Sequence, residues 1–199
     1  MRDRERAVAL SAAAALVGVA TTRGAGRRAD HAVFRMANRG GRGAADAAMR
    51  SVTELGSIWA SVGAAVVLAA TGRRNAATRA LSAAGLTWAL GQGLKKLFRR
   101  PRPYDTFEPG TARLLIGKPR GTSWPSSHPA VLLAFITVAE RELSLGPGMR
   151  AAGLGLAGLV GASRSYLGVH FPSDVAGGLL LGRAVGLAWP GATRPDASG

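Results

Sequence analysis

The chain alternates apolar stretches with basic gaps. Six segments are apolar enough to be buried in lipid: Ala7 to Ala20, Leu55 to Thr71, Ala80 to Leu94, Pro129 to Ala139, Ala151 to Ala162 and Val175 to Trp189. Several fall short of the roughly 20 residues that one spanning helix uses, so their helices must continue into polar flanks, tilt, or sit in a thinned bilayer. Glycines recur in the last two segments, as Gly153, Gly155, Gly158 and Gly161 and as Gly177, Gly178, Gly182 and Gly186. Small residues of this kind let membrane helices approach closely. The expected fold is all-α: a polytopic membrane helix bundle of about six transmembrane helices, with its site at one membrane face. A soluble helical bundle with Ala-rich cores is the competing architecture.

The first segment has a second reading. Arg2, Arg4 and Arg6 precede an apolar stretch ending Gly18-Val19-Ala20, the pattern of a secretory signal with a small-x-small cleavage site. An uncleaved helix is preferred, and later topology is the same either way. Residues 21–52 form a basic connector in which Asp30, Phe34, Met36 and Met49 are interleaved, as in a helix lying in the membrane interface. No chemistry is identified in it. Residues 190–199 read as a flexible tail.

Composition changes this picture little. At 199 residues the chain suits one domain, 1–199, with a real core. A 47% hydrophobic fraction and a mean hydropathy of +0.13 are ordinary, so the distribution of apolar residues carries the membrane reading. There is no cysteine, which removes disulfides and thiolate chemistry. A net charge of +15 raises the question of nucleic acid. The basic residues lie in the gaps between apolar stretches and not on one polar helix face, which fits anionic headgroups better, so membrane lipids are the expected partners and nucleic acid is not. Charge bias also bears on orientation. The 21–52 connector is rich in Arg and lies on the same side as the third and fifth connectors, which by the positive-inside rule would place all three in the cytoplasm.

Three polar clusters flank the last four apolar segments. They are Lys95 with Arg102-Pro103; Pro125-Ser126-Ser127-His128; and Ser163-Arg164 with His170 and Asp174. The first begins where the third segment ends, the second where the fourth begins, and the third bridges the fifth and sixth. In an up-and-down bundle these ends share one face. Lys95, Arg102 and Arg164 supply fixed positive charge, and Arg donates bidentate hydrogen bonds to phosphate oxygens. Ser126 and Ser127 precede an apolar helix, where a hydroxyl can cap while free backbone N–H groups face an anion. Asp174, four residues after His170, can orient one imidazole nitrogen and leave the other free to attack phosphorus. His128 remains to protonate the leaving oxygen, a contribution of about 10² to 10⁴ in rate.

Taken singly, each residue has a plainer role. Lys95, Lys96, Arg99 and Arg100 could be anchors at a helix end. His128 could bond a helix end, and His170 with Asp174 could be a structural hydrogen bond. Coincidence on one face favours the functional reading. His31 lacks such company and is taken as an interfacial residue. A metal site is disfavoured, because a cation would sit among three positive side chains.

These residues resemble the type 2 phosphatidic acid phosphatase superfamily. Its signature is Lys, six residues, Arg-Pro; then Pro-Ser-Gly-His; then Ser-Arg, five residues, His, three residues, Asp. Here it reads Lys95-x6-Arg102-Pro103, Pro125-Ser126-Ser127-His128 and Ser163-Arg164-x5-His170-x3-Asp174, within residues 95–174, with Ser127 in place of the usual Gly. The resemblance implies a six-helix membrane fold in the cytoplasmic membrane with the site at the outer face, against the charge bias. It implies His170 as nucleophile oriented by Asp174, and His128 as acid. Phosphate binding would fall to Lys95, Arg102, Ser126, Ser127, Ser163 and Arg164, with no metal and no cofactor. A polyprenyl diphosphate or polyprenyl-phosphosugar is the preferred lipid substrate, with phosphatidate or phosphatidylglycerophosphate as alternatives. A non-catalytic protein that binds or flips anionic lipids is the rival of another class.

Overall fold

The computed structural model describes residues 2–41 and 43–190. Among these the secondary structure is entirely helical: α1 (Arg2–Ala20), α2 (Gly24–Asn38), α3 (Ala44–Glu54), α4 (Ile58–Ala70), α5 (Arg74–Phe98), α6 (Pro103–Thr106), α7 (Ser127–Glu142), α8 (Pro147–Tyr166) and α9 (Pro172–Ala188). Apart from Pro190, the expected flexible tail at 190–199 lies outside the described residues. The six apolar segments correspond to α1, α4, α5, α7, α8 and α9. Their limits differ from the hydrophobic runs where polar residues cap or prolong the helix. Ser57 caps α4, its Oγ accepting from Ala60 N at 3.1 Å, so the Leu55-Gly56 end of the second segment becomes a turn. α5 runs well past its apolar stretch at both ends and stops at Arg99, which adopts a left-handed conformation (φ 44°) just before Pro101. Pro147 and Pro172 open α8 and α9, where a missing N–H costs nothing.

Helix α7 lies at the centre, with most of its residues from Pro129 to Glu140 buried. On one side Val131, Phe135 and Val138 pack against Ala77, Ala80, Ala83 and Ala84 of α5 and Ala65 of α4. On the other, Leu132 and Leu133 meet Ala157 and Val160 of α8. Helix α9 reaches α7 through glycine: a Cβ at Gly178 would collide with the Ser126 carbonyl, and one at Gly182 with the Ala130 carbonyl. This contact sets α9 directly against the first turns of α7. Small residues therefore give the close packing expected of them.

The outer faces are apolar. Val8, Leu16, Trp59, Val66, Val67, Trp88 and Leu154 are all exposed on α1, α4, α5 and α8. No single described helix is both long and apolar enough to cross a membrane, whereas two bent pairs together meet that length and composition: α1 with α2, bent by 91°, and α3 with α4, bent by 63°. The basic connector is thus two helices. Along α2, Asp30, Phe34 and Asn38 recur every fourth residue and are all buried. Asn38 donates to the carbonyls of Arg113 (3.0 Å) and Tyr166 (2.8 Å) and accepts from Arg113 N (2.7 Å), which ties the α6–α7 loop to the end of α8.

Candidate active site

The end of α5, the start of α7, the end of α8 and the start of α9 meet at one end of the bundle. Between them lies a cavity of about 240 Å³ whose wall includes Lys95, Arg102, Ser127, His128, Arg164 and His170. Both imidazoles therefore face one space. Gly56, in the α3–α4 turn, makes room for this. A Cβ there would come within 2.8 Å of His128 Cβ and 3.0 Å of its carbonyl, so the turn lies flush on the first turn of α7.

His170 sits in the short α8–α9 loop and is buried (2% exposed). Arg102 Nη1 stands 3.1 Å from its Nε2. A guanidinium only donates, so Nε2 carries the lone pair and Nδ1 the proton. Nδ1 points at Asp174, whose Oδ2 is 3.5 Å away, and at Ser123 Oγ, also at 3.5 Å. Burial, then the nearby charges of Lys95, Arg102 and Arg164, hold the His170 pKa well below its ordinary 6.5, so the imidazole is neutral and nucleophilic at physiological pH.

Asp174 is completely buried at the third position of α9. Its Oδ2 accepts from Phe171 N (2.8 Å) and Ser123 Oγ (2.5 Å), and its Oδ1 from Arg100 Nη1 (2.8 Å). Its carbonyl accepts from Ser126 N at 2.9 Å, which couples α9 to the start of α7. Its donors come from the end of α5, the loop into α7 and the N-cap of its own helix, so its orientation is fixed by the fold.

The cations divide their hydrogen bonds between loop and cavity. Lys95 Nζ donates to the carbonyls of Pro125 (2.7 Å), Thr122 (3.2 Å) and Ser123 (3.3 Å), shaping the loop that leads into α7. Arg102 Nε donates to Gly121 O (2.9 Å) and its Nη1 also to Val169 O (2.9 Å). Arg164 Nη1 donates to Thr53 Oγ1 (2.7 Å). Arg164 Nε and Ser127 Oγ are buried without a protein partner, and both residues border the cavity that the histidines line. An anion with several oxygens would satisfy such a cavity; a cation would face three positive charges.

Two serines behave differently from expectation. Ser126 occupies the N-cap position of α7, but its Oγ makes no capping bond, and the residue does not border the cavity. Ser163 is fully buried and donates to Val160 O at 2.6 Å within its own helix, away from the cavity wall. Ser126 Oγ is left buried without a protein partner, and Ser163 Oγ is spent on its own helix.

Four further positions hold the site residues in place. Arg100, read as a possible helix-end anchor, is buried (8% exposed) and pairs with Asp174. Asp30 belongs to the connector assigned no chemistry, yet it accepts from Arg100 Nη2 at 2.5 Å. Ser123 bonds Asp174 and Thr53 holds Arg164. One signal was available for Asp30. It is the single acid between Glu5 and Asp46, and it shares the four-residue spacing of Phe34 and Asn38 on the buried face. His31 also has company: it stacks on Phe171 with centroids 4.8 Å apart and meets Phe107 edge-on at 5.0 Å.

The chain is similar to known proteins. An undecaprenyl-diphosphatase of Sulfolobus acidocaldarius is 32% identical over 125 residues, which is 63% of this chain and 58% of that protein's length. Among solved structures, a transmembrane PAP2 type phosphatidylglycerolphosphate phosphatase from Bacillus subtilis superposes with a TM-score of 0.78 at 25% identity, covering 91% of this chain and 92% of the other. Aquifex aeolicus LpxE superposes with a TM-score of 0.68 at 28% identity, covering 77% and 90%. The sequence model of the PAP2 superfamily matches residues 76–194, from the start of α5 past the end of α9 and across all three polar clusters, and the chain belongs to that superfamily.

Proposed function

We propose that this chain is an integral membrane phosphatase that removes phosphate from a lipid by way of a phosphohistidine on His170. The observation that carries this is the placing of His170, its Nε2 3.1 Å from Arg102 Nη1, in the wall of a cavity shared with Lys95, Arg102, Arg164 and a second imidazole, His128. In the proposed reaction Nε2 attacks phosphorus and the bond to the leaving oxygen breaks. His128, once it has taken up a proton that arrives with the phosphate, gives that proton to the leaving oxygen. Water then attacks the phosphohistidine with His128 as base, releasing inorganic phosphate and regenerating Nε2. The proton on Nδ1 stays directed at Asp174, which stabilises the charge that the ring acquires. Arg102, Arg164 and Lys95 stabilise the transferring group, usually the largest contribution in such chemistry. No step draws on a metal.

A polyprenyl diphosphate, or a polyprenyl-phosphosugar, is the preferred substrate. The similarity to an undecaprenyl-diphosphatase supports this choice, and the similarity to a phosphatidylglycerolphosphate phosphatase keeps a glycerophospholipid phosphate as the alternative. A membrane setting is supported by the exposed apolar side chains on the outer helix faces, which a soluble bundle would bury. Six crossings, with the site at the outward face of the cytoplasmic membrane, complete the proposal. Phosphate release from both lipid classes by detergent-purified protein, with and without EDTA, tests it. Turnover that resists EDTA, labels the protein with phosphate and is abolished by His170→Ala is expected. Turnover that survives His170→Ala, or that EDTA stops, overturns it.

A further inference from the structure

Behind Asp174 lies a second layer of charge that the reaction above does not use. Arg100 reaches both ways: Nη1 donates to Asp174 Oδ1 at 2.8 Å, and Nη2 to Asp30 Oδ2 at 2.5 Å. Asp30 Oδ1 accepts from Ser173 N at 2.9 Å, and its Oδ2 also from Ser173 Oγ at 2.6 Å. Ser173 Oγ in turn accepts from Arg100 Nη1 at 2.6 Å. All three charged residues are buried, at 7%, 8% and 0% exposure for Asp30, Arg100 and Asp174. Each carboxylate oxygen receives at least one donor, the pattern of two ionised, acceptor-only groups.

The charges do not cancel. Arg100 with Asp174 alone would be neutral, and a guanidinium locked onto Asp174 would offset most of the negative potential that Asp174 offers the imidazole. Asp30 restores it, leaving the trio with one net negative charge in a dry region where such charges interact strongly. The requirement comes from the other side of His170. Lys95 from α5, Arg102 from the α5–α6 connection, His128 from α7 and Arg164 from α8 face the same ring, and the cations among them oppose a positive imidazole. Phosphoryl transfer to Nε2 places positive charge on that ring.

We propose that Asp30, acting through Arg100, is a positioning residue that sets the negative charge Asp174 presents to His170, so that the amphipathic α2 helix is part of the active site. This rests on His170 being the nucleophile. A plain stapling role for Asp30, joining α2 to the start of α9, is the alternative, and the two differ in sign under substitution.

The test uses the full-length protein in detergent with the lipid substrate it turns over, and three variants: Asp30→Asn, Arg100→Gln and the double. Asp30→Asn leaves the trio neutral, so kcat falls about 10- to 100-fold with KM nearly unchanged, and the acid limb of kcat/KM moves to lower pH. Arg100→Gln leaves two negative charges and moves that limb to higher pH. The double variant returns the trio to one negative charge; its limb moves back towards that of the unsubstituted enzyme, and its kcat exceeds that of Asp30→Asn by severalfold. Unchanged kcat in Asp30→Asn, or a double variant no better than either single, overturns the proposal. Should Asp30→Asn not yield monodisperse protein, the double is read alone: kcat within about tenfold of the unsubstituted enzyme supports charge balance, and kcat as low as that of His170→Ala overturns it. His170→Ala, run beside them, separates this outcome from failure of the phosphohistidine reading, since an active His170→Ala sinks that reading first.

Discussion

Arg102 and His170 are bound at two points: Nη1 of the guanidinium is 3.1 Å from the imidazole Nε2 and 2.9 Å from the carbonyl of Val169, the residue before it. One side chain therefore fixes both the loop that carries the imidazole and the tautomer that leaves Nε2 unprotonated. The same guanidinium holds Gly121 O through Nε, so the α6–α7 loop is anchored to it as well. A phosphate entering the cavity would exchange one of these bonds for two from the same fork.

Arg102→Lys should expose how far geometry, as distinct from charge, matters here. Lysine keeps one positive charge but cannot hold Val169 O, Gly121 O and a phosphate together. The expected result is a loss of about 10²- to 10³-fold in kcat/KM, comparable to removing a donor that stabilises transition-state charge. A variant within a few-fold of the unsubstituted enzyme would show that charge alone suffices.

The pH profile follows from the burial of His170. The folded-state pKa lies well below 6.5, so the imidazole remains neutral as pH falls through 6.5 and is protonated only further down. Since kcat/KM reports the free enzyme, its acid limb belongs below the ordinary histidine range. A substrate analogue whose phosphate keeps one ionisation state over the range isolates this limb. An inflection at 6.5 would contradict the burial and the three cations as the governing influences.

Much of this arrangement is legible in the sequence, and the remainder has a common reason for being hidden. The six apolar runs mark the long helices because burial writes itself into hydrophobic pattern. Lys95, Arg102, His128, Arg164 and His170 are findable because each sits where an apolar run ends, and helix ends of an up-and-down bundle share a face. What pattern does not carry is which way a polar side chain turns. Ser163 bonds its own helix at Val160, and Arg100 turns inward to Asp174 while its neighbour Arg99 stays exposed. The turn of Arg100 depends on α2 docking across α9, a contact between segments more than a hundred residues apart. The helix limits shifted for a local reason, since Ser57, Pro147 and Pro172 begin helices where hydropathy alone sees only a slope.

Packing at the α7–α9 contact gives a stability prediction. Gly182→Ala places a methyl group against the backbone of Ala130, a neighbour that cannot rotate away. Overpacking of this kind typically costs about 1–3 kcal/mol. A lower midpoint of thermal unfolding in detergent is expected, whereas Gly63→Ala on α4, where a Cβ meets nothing within 4 Å and alanine is the better helix former, should not lower it. Equal midpoints for the two variants would mean that α9 does not depend on this close approach.

Under the proposed function, the mouth of the cavity would separate recognition of the phosphate from recognition of the lipid. Trp59 of α4 and Trp88 of α5 border the cavity beside Lys95 and His128, and they are 78% and 47% exposed. Large aromatic rings at that position offer apolar area next to a charged centre, as a lipid phosphate requires at the point where its chain leaves the headgroup. Neither ring touches the imidazoles' chemistry by hydrogen bonding, so truncation should act on binding and spare the chemical step. Trp59→Ala and Trp88→Ala are expected to raise KM for a long-chain lipid substrate by about 3- to 30-fold each, with kcat within twofold, because an interaction made equally in ground and transition states is removed. A short-chain, water-soluble phosphate substrate, which has no chain to lay along the rings, should show the same KM in the variants and the unsubstituted enzyme. If the short substrate is weakened as much as the long one, the tryptophans are shaping the phosphate pocket itself, and the lipid chain must leave the cavity by another route.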